Sequence, residues 1–336
     1  MTDINETVAP TSAPSNADKA AQAGEIVRRL SEEVRRVVVG QQAVVEQVLA
    51  CFLAGGHVLI EGVPGLGKTL LVKALAKTFS GQFNRIQFTP DLMPADVMGH
   101  SIFDLKDQVF SVRKGPVFTN LLLADEINRA PAKTQSALLE VMQERQVTIE
   151  GTSHQLASPF MVLATQNPLE NEGTYPLPEA QLDRFLVNVR MQYPNEHDEI
   201  AMLQQVTANR IGDGLDVGAV NALVSADMVN KLQQFVARIR VDDSLAAYAV
   251  QLTRATRDWP GIAIGAGPRG AIALVRIARA MALIAGRDFV TPDDIKSACL
   301  PVLRHRIALS PESELDGLST DSLLKALVEQ IPAPRS

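Results

Sequence analysis

Sulfur and aromatic rings are scarce in this chain: 336 residues hold two cysteines, one tryptophan and three tyrosines. Cys51 and Cys299 are far apart, each within an apolar stretch. That placement excludes a disulfide framework or a cysteine zinc cluster and predicts two buried thiols in a reducing compartment. No apolar run approaches the ~20 residues a membrane helix needs, and the N-terminus lacks a charged-then-apolar leader pattern. These absences predict a soluble, cytoplasmic protein without membrane insertion. A basic excess is missing as well. The formal net charge is −6 and there is no run of five or more Lys or Arg, which leaves no electrostatic footprint for nucleic acid. The length suits two domains better than one.

What is present is a phosphate-binding loop. Gly62-Val63-Pro64-Gly65-Leu66-Gly67-Lys68-Thr69 follows the apolar run Val58-Leu59-Ile60 and opens a helical pattern through Leu70, Leu71, Ala74, Leu75 and Phe79. Glycines at this spacing let consecutive backbone N–H groups converge on one point, where a helix N-terminus adds its positive dipole end. Lys68 then reaches the β- and γ-phosphates, and the Thr69 hydroxyl ligates Mg²⁺.

Upstream, Met1 to about Gln22 is rich in Thr, Ser, Ala, Asn and Pro and reads as a disordered tail, residues 1–22. An amphipathic helix follows from Ile26, broken at Val38-Val39-Gly40-Gln41, and a second helix runs through Val44 to Phe52. Downstream of the loop, strands are predicted at Arg85–Thr89, Leu121–Ala124, Phe160–Ala164 and Phe185–Val189. Short apolar strands separated by helices give an α/β domain, 23–194, with a parallel five-stranded sheet covered on both faces. Two hairpins interrupt it, Ser101–Leu105 with Gln108–Val112 across Lys106-Asp107, and Gln146–Ile149 with His154–Leu156. After Tyr193-Pro194 strands disappear from the pattern, so the second domain, 195–336, is expected to be an all-helical lid. Thr291-Pro292-Asp293-Asp294 is its clearest helix start.

Leu121-Leu122-Leu123-Ala124-Asp125-Glu126 is a buried strand ending in two carboxylates. In a domain that already holds a phosphate loop, Asp125 reads as the Mg²⁺ ligand and Glu126 as the base that orients and deprotonates water. Asn167, in Thr165-Gln166-Asn167-Pro168, is either an amide for the γ-phosphate or a turn-forming Asn before Pro, and spacing leaves these level. Arg184, in Asp183-Arg184-Phe185, and Arg269, after Gly267-Pro268, each read as a phosphate-stabilising guanidinium or a structural ion-pair partner. His57 reads as a polar residue at a strand start and Trp259 as a packing residue. His154, His197 and His305 have no metal-like neighbours in the sequence.

Taken with Leu121–Pro131, Ala164–Pro168 and Glu172–Phe185, the phosphate loop makes the chain resemble the MoxR family of AAA+ ATPases, from about Glu25 to about Ile331. The resemblance implies that Lys68 and Thr69 are the Walker A lysine and hydroxyl and that Asp125 and Glu126 are Walker B. It makes Asn167 sensor 1, Arg184 the arginine finger given to the adjacent subunit, and Arg269 sensor 2. It also implies that Val38, Val39, Gly40 and Gln41 meet the adenine, and that Gly62 to Leu70 complete the nucleotide site. Pro90–Pro116 resembles the helix-2 insert and Val147–Leu156 the hairpin before sensor 1. Gln143 departs from the pattern, standing where relatives often carry an acid.

By the same resemblance the expected cofactors are ATP and Mg²⁺, and the expected assembly is a hexameric ring of identical subunits. The implied output is chaperone-like maturation of a client protein or complex, often one with a von Willebrand factor A domain. Two alternatives share parts of this pattern. A nucleic-acid motor would want basic pore hairpins, and Val147–Leu156 has no Lys or Arg. A motor subunit of a metal chelatase would share the insertions.

Overall fold

The computed structural model describes residues 15–63, 65–105, 108–167, 173–207 and 217–334. Helices α1 (Asn16–Arg35) and α2 (Gln42–Leu53) lead to strand β1 (Val58–Glu61), which feeds α3 (Lys68–Thr78). Strand β2 (Phe83–Gln87), α4 (Pro94–Met98) and the hairpin of β3 (Gly99–Asp104) and β4 (Val109–Lys114) precede β5 (Leu121–Asp125). Helix α5 (Ala132–Glu144), the hairpin of β6 (Gln146–Ile149) and β7 (Thr152–Gln155), β8 (Met161–Gln166), α6 (Glu179–Leu182) and β9 (Val187–Arg190) complete the α/β part.

Five of these strands form one parallel sheet in the order β2-β5-β8-β1-β9. Leu121, Leu122 and Leu123 of β5 and Val58, Leu59 and Ile60 of β1 are fully buried on both faces. This is why the sequence shows unbroken apolar runs rather than alternation. Burying each such side chain contributes ~1.5–3 kcal/mol. The two hairpins are antiparallel ribbons outside this sheet, β3 with β4 and β6 with β7, as the alternation predicts. Lys106-Asp107, the expected turn of the first, lie outside the described residues.

Helix α7 (Glu196–Thr207) is followed by α8 (Ala226–Arg238), α9 (Asp243–Ala255), strand β10 (Ile262–Ile264), α10 (Pro268–Ile284) and α11 (Pro292–Leu303). Strand β11 (Ala308–Leu309), α12 (Pro311–Leu315) and α13 (Thr320–Gln330) end the chain's described elements. One hydrophobic core joins α1–α3 and one sheet face to α8–α11 and α13, while a second fills the opposite face beneath α5. At α11 the expected start holds: Thr291 is the N-cap, Pro292 the first helical residue, and Asp294 closes a capping box.

Four expectations are corrected. Helix α1 begins at Asn16, not Ile26, so Asn16 to Gln22 is helix rather than tail; the stretch Met1 to Pro14 lies outside the described residues. Ser15 caps the helix in a capping box with Asp18, its alanines favour helix, and buried Ala20 and Gly24 pack it down. Strand β2 sits two residues earlier than read, because pairing with Leu121–Asp125 fixes its frame. Strand β9 starts at Val187; Phe185 is buried in the turn before it. The helical part is not strand-free, since β10 and β11 pair antiparallel. At two or three residues each they are too short to show a period.

Candidate active site

The chain leaves β1 at Glu61 and turns through left-handed Gly65 and Gly67, with φ of 86° and 82°. A Cβ at either would meet nothing within 4 Å. Glycine is needed there for the backbone conformation, not for room. Gly67 then starts α3, so backbone N–H groups and the helix dipole face one point. Lys68 Nζ donates to the Gly62 carbonyl. Burial lowers the Lys68 ammonium from its ordinary range, against the pull of Asp125 and Glu126. Pro64 lies outside the described residues.

The three central strands deliver their C-terminal ends to this loop. A cavity of about 290 Å³ is lined by Gly65, Gly67, Lys68, Thr69, Asp125, Glu126 and Asn167. These seven expected site residues therefore share one place, although more than a hundred positions separate Gly65 from Asn167. Four further residues line it or touch its acids: Arg85, Gln87, Arg129 and Thr165. Thr165 Oγ1 donates to Asp125 Oδ1 at 2.6 Å and accepts from the Glu126 N–H at 2.9 Å. Glu126 stands in the left-handed region, φ 56° and ψ 51°, a strain of about 1 kcal/mol or more for a residue with a side chain. Its carboxylate Oε2 accepts from Gln87 Nε2 at 2.7 Å and pairs with Arg129 at 3.0 Å. Sequence reasoning saw Arg85 and Gln87 as ordinary strand residues. Their spacing of two, on one strand face, was the available signal.

The turn at Val38–Gln41 lies at the same edge of the sheet. Gln41 is buried and its Nε2 donates to the Gln192 carbonyl at 2.8 Å. Gly40 is left-handed at φ 73°, and a Cβ there would come within 2.8 Å of Pro194. A Cβ on Gly62 would come within 3.0 Å of Met191, which ties the segment after β9 to the phosphate loop. Leu66 and Leu70 pack against the core beneath, and Val63 is half-buried.

Arg184 and Arg269 are not in this cavity. They line another, of about 390 Å³, with Asp183, Arg145, Arg276 and Arg306. Arg184 donates to Gln143 Oε1 at 2.5 Å and to the Leu139 carbonyl at 3.2 Å. Gln143, the departure from the pattern, is thus a seat for Arg184. Asp183 joins the rest: Oδ1 accepts from Arg306 Nε at 2.8 Å, and Oδ2 faces Arg269 at 3.4 Å. Buried Arg306 also donates to the Phe185 carbonyl at 2.7 Å, so the turn after α11 fixes the segment that carries Arg184.

The remaining polar candidates are structural. His57 Nδ1 accepts from the Val162 N–H at 3.0 Å, and Nε2 donates to the Met142 carbonyl at 3.0 Å. Burial lowers its pKa to about 4, and buried His305 is lowered in the same direction. Trp259 packs on the core. Cys51 and Cys299 are buried free thiols, both pushed up to about 12 by burial. Among the described residues no His, Cys, Asp and Glu cluster could hold a metal, and no helix is long and apolar enough to cross a membrane.

Comparison with known proteins agrees with this layout. The profile of the ATPase family associated with various cellular activities (AAA) matches residues 57–187, and that of the AAA lid domain matches 254–327. The chaperone MoxR1 of Mycobacterium tuberculosis is 41% identical over 96% of this chain and 86% of its own. The uncharacterised protein YeaC of Bacillus subtilis is 45% identical over 90% of this chain and 93% of its own. A crystal structure from Cytophaga hutchinsonii superposes with a TM-score of 0.86 at 42% identity, covering 94% of this chain and 97% of the other.

Proposed function

The chain belongs to the MoxR family of AAA+ ATPases and hydrolyses ATP, and we propose that it does so in a ring whose active sites lie between subunits, driving chaperone-like maturation of a client. The observation that carries this reading is the separation of Arg184 and Arg269 from the phosphate loop. Strands β1 and β9 pair in parallel, with Val58 opposite Val187. The loop follows the C-terminal end of β1, whereas Arg184 precedes the N-terminal end of β9. One subunit therefore offers acids and a phosphate cradle at one sheet edge and arginines at the other. Head-to-tail packing brings these two edges together, and repeating it around a closed ring satisfies every subunit. Six copies is the number the resemblance implies.

In this reading the α/β part, 23–194, binds ATP through Gly62 to Leu70, with the Val38–Gln41 turn against the base. Lys68 holds the β- and γ-phosphates. Thr69 and Asp125 present hydroxyl and carboxylate oxygens to one cavity, the hard-oxygen donor set that suits Mg²⁺, which when bound there neutralises phosphate charge. Glu126 accepts the proton of the water that attacks the γ-phosphorus as the bond to the leaving ADP oxygen breaks. Asn167 orients that water or the γ-phosphate. Arg184 and Arg269 of a neighbouring subunit stabilise the developing charge. Helical residues 195–336 carry Arg269 and transmit closure.

The working surface is the β3–β4 hairpin. Leu105 and Phe110 are 84% and 75% exposed at its tip, beside exposed Phe103, Val109 and Val112. An apolar, uncovered ribbon suits an unfolded or partly folded protein segment better than a phosphate backbone. By family resemblance we assign a client carrying a von Willebrand factor A domain and a cytoplasmic location. The test is ATPase rate against protein concentration, alone and with a von Willebrand factor A domain protein or with DNA. A rate per subunit that rises with concentration and rises further with the domain protein supports the reading. A rate independent of concentration removes the shared site, and stimulation by DNA alone replaces the chaperone with a nucleic-acid motor.

A further inference from the structure

Both acids of the catalytic pair are held by one face of one strand. Arg85 and Gln87 alternate with Ile86 on β2 and project to the same side, where Arg85 donates to Gln87 Oε1 at 3.2 Å. Gln87 reaches Glu126. Arg85 reaches Asp125: its Nε and terminal nitrogen both donate to Oδ2, at 3.1 Å and 2.6 Å. Asp125 Oδ1 is already taken by the Thr165 hydroxyl. The carboxylate assigned to the metal therefore has both oxygens engaged, one of them by a permanent cation.

We propose that Arg85 is a positioning residue that occupies Asp125 in place of the metal and must leave Asp125 when Mg-nucleotide binds. This rests on Asp125 being the metal ligand. Three features argue for displacement rather than a permanent pair. The Arg85 side chain is 48% exposed while that of Asp125 is only 16% exposed, so the guanidinium is the mobile partner. A pair whose cation stands half in solvent is only modestly held and gives way to a divalent cation paired with phosphate charge. Arg85 also lines a second, open cavity of about 730 Å³, where the Asp96 carboxylate stands with the Arg113 and Lys114 cations, so the released guanidinium has solvent and one acid to turn to rather than a competing pair. The arrangement keeps Asp125 correctly turned before nucleotide arrives, and it sets the Mg²⁺ concentration at which the site loads.

Binding of a fluorescent, non-hydrolysable ATP analogue, titrated with Mg²⁺ and repeated in EDTA, tests this in wild type, Arg85→Gln, Arg85→Lys and Asp125→Asn. Loss of the competing cation in Arg85→Gln lowers the Mg²⁺ midpoint by roughly fivefold, the scale of a half-exposed charge pair, and leaves affinity in EDTA within about twofold. Arg85→Lys keeps the charge but loses the two-nitrogen grip, so its midpoint falls between the two; it also carries the test should Arg85→Gln not fold. An unmoved midpoint in both Arg85 variants overturns the proposal. So does a matching loss of affinity in EDTA, which would make Arg85 a phosphate ligand. Asp125→Asn separates the two levels: a raised midpoint upholds Asp125 as metal ligand whatever Arg85 does, and an unchanged one removes that assignment and the proposal with it.

Discussion

Lys68 and Arg184 lie at opposite ends of the same parallel sheet. Lys68 opens α3 beyond the C-terminal end of β1, and Arg184 sits before the N-terminal end of β9, the strand paired beside it. In the proposed mechanism Arg184 therefore serves a phosphate held by a neighbouring subunit, not the one cradled by its own Lys68.

Two inactive variants are therefore expected to rescue each other. Glu126→Gln and Arg184→Ala each lose about a hundredfold or more of the ATPase rate alone, since one removes the base and the other a transition-state cation. Mixed, they form some interfaces with an intact acid from one subunit and an intact arginine from the next. Steady-state phosphate release from the mixture then exceeds that of either variant at the same total concentration. Full activity of Arg184→Ala alone would make that arginine structural.

Arg269 is expected to act from the same side as Arg184, because both line one cavity and Asp183 lies between them. Mixing Arg184→Ala with Arg269→Ala should then recover nothing, since no subunit brings both arginines to a neighbour. An Arg269 serving its own subunit's nucleotide predicts the reverse. An Arg184→Ala subunit would keep its own Arg269 and receive Arg184 from its partner, and phosphate release would return.

His57 makes stability depend on pH below neutrality. Its folded pKa, about 4, lies beneath the ordinary value of about 6.5, so the unfolded chain takes up a proton that the fold refuses. The contribution is whole above pH 6.5 and declines as pH falls toward 4, with about 2 kcal/mol gone by pH 5. Urea unfolding at pH 7 and pH 5 reads this directly. His57→Gln is expected to be less stable at pH 7 and to lose less between the two pH values; an equal loss would place the pH dependence elsewhere, with His305 the first suspect.

Gly24→Ala probes the N-terminal helix. The added Cβ would lie 2.7 Å from the Gly286 Cα and from the Leu283 carbonyl oxygen, both backbone, so α1 must move off α10. A cost of about 1–3 kcal/mol follows from overpacking, outweighing alanine's better helix propensity. An unchanged urea midpoint would mean that α1 does not pack there in solution.

Each local feature was legible where one segment contained its own cause. The glycine spacing of the phosphate loop, the apolar strand ending in Asp125-Glu126 and the Thr291 cap all depend on neighbours a few positions away. The start of α1 was misread because its long run of small and polar residues resembles a linker until Gly24 and Ala20 find α10 and the core. The ribbon of β10 and β11 was invisible because Ile262 and Leu309 meet only in three dimensions.

By itself the sequence determined the phosphate loop, the buried strand that ends in Asp125-Glu126, and the succession of the main strands and helices of the α/β part, since periodicity and spacing act over one or two turns of chain. Only the tertiary structure decided which cation meets which acid. Arg85 and Asp125 are forty positions apart, Asp183 and Arg306 more than a hundred, and a guanidinium's role is set by the carboxylate, carbonyl or open cavity it faces. Strand order and parallel register put Arg184 in a different cavity from Lys68, together with Arg269, and that placement, not their residue type, is what supports the proposal that they serve another subunit.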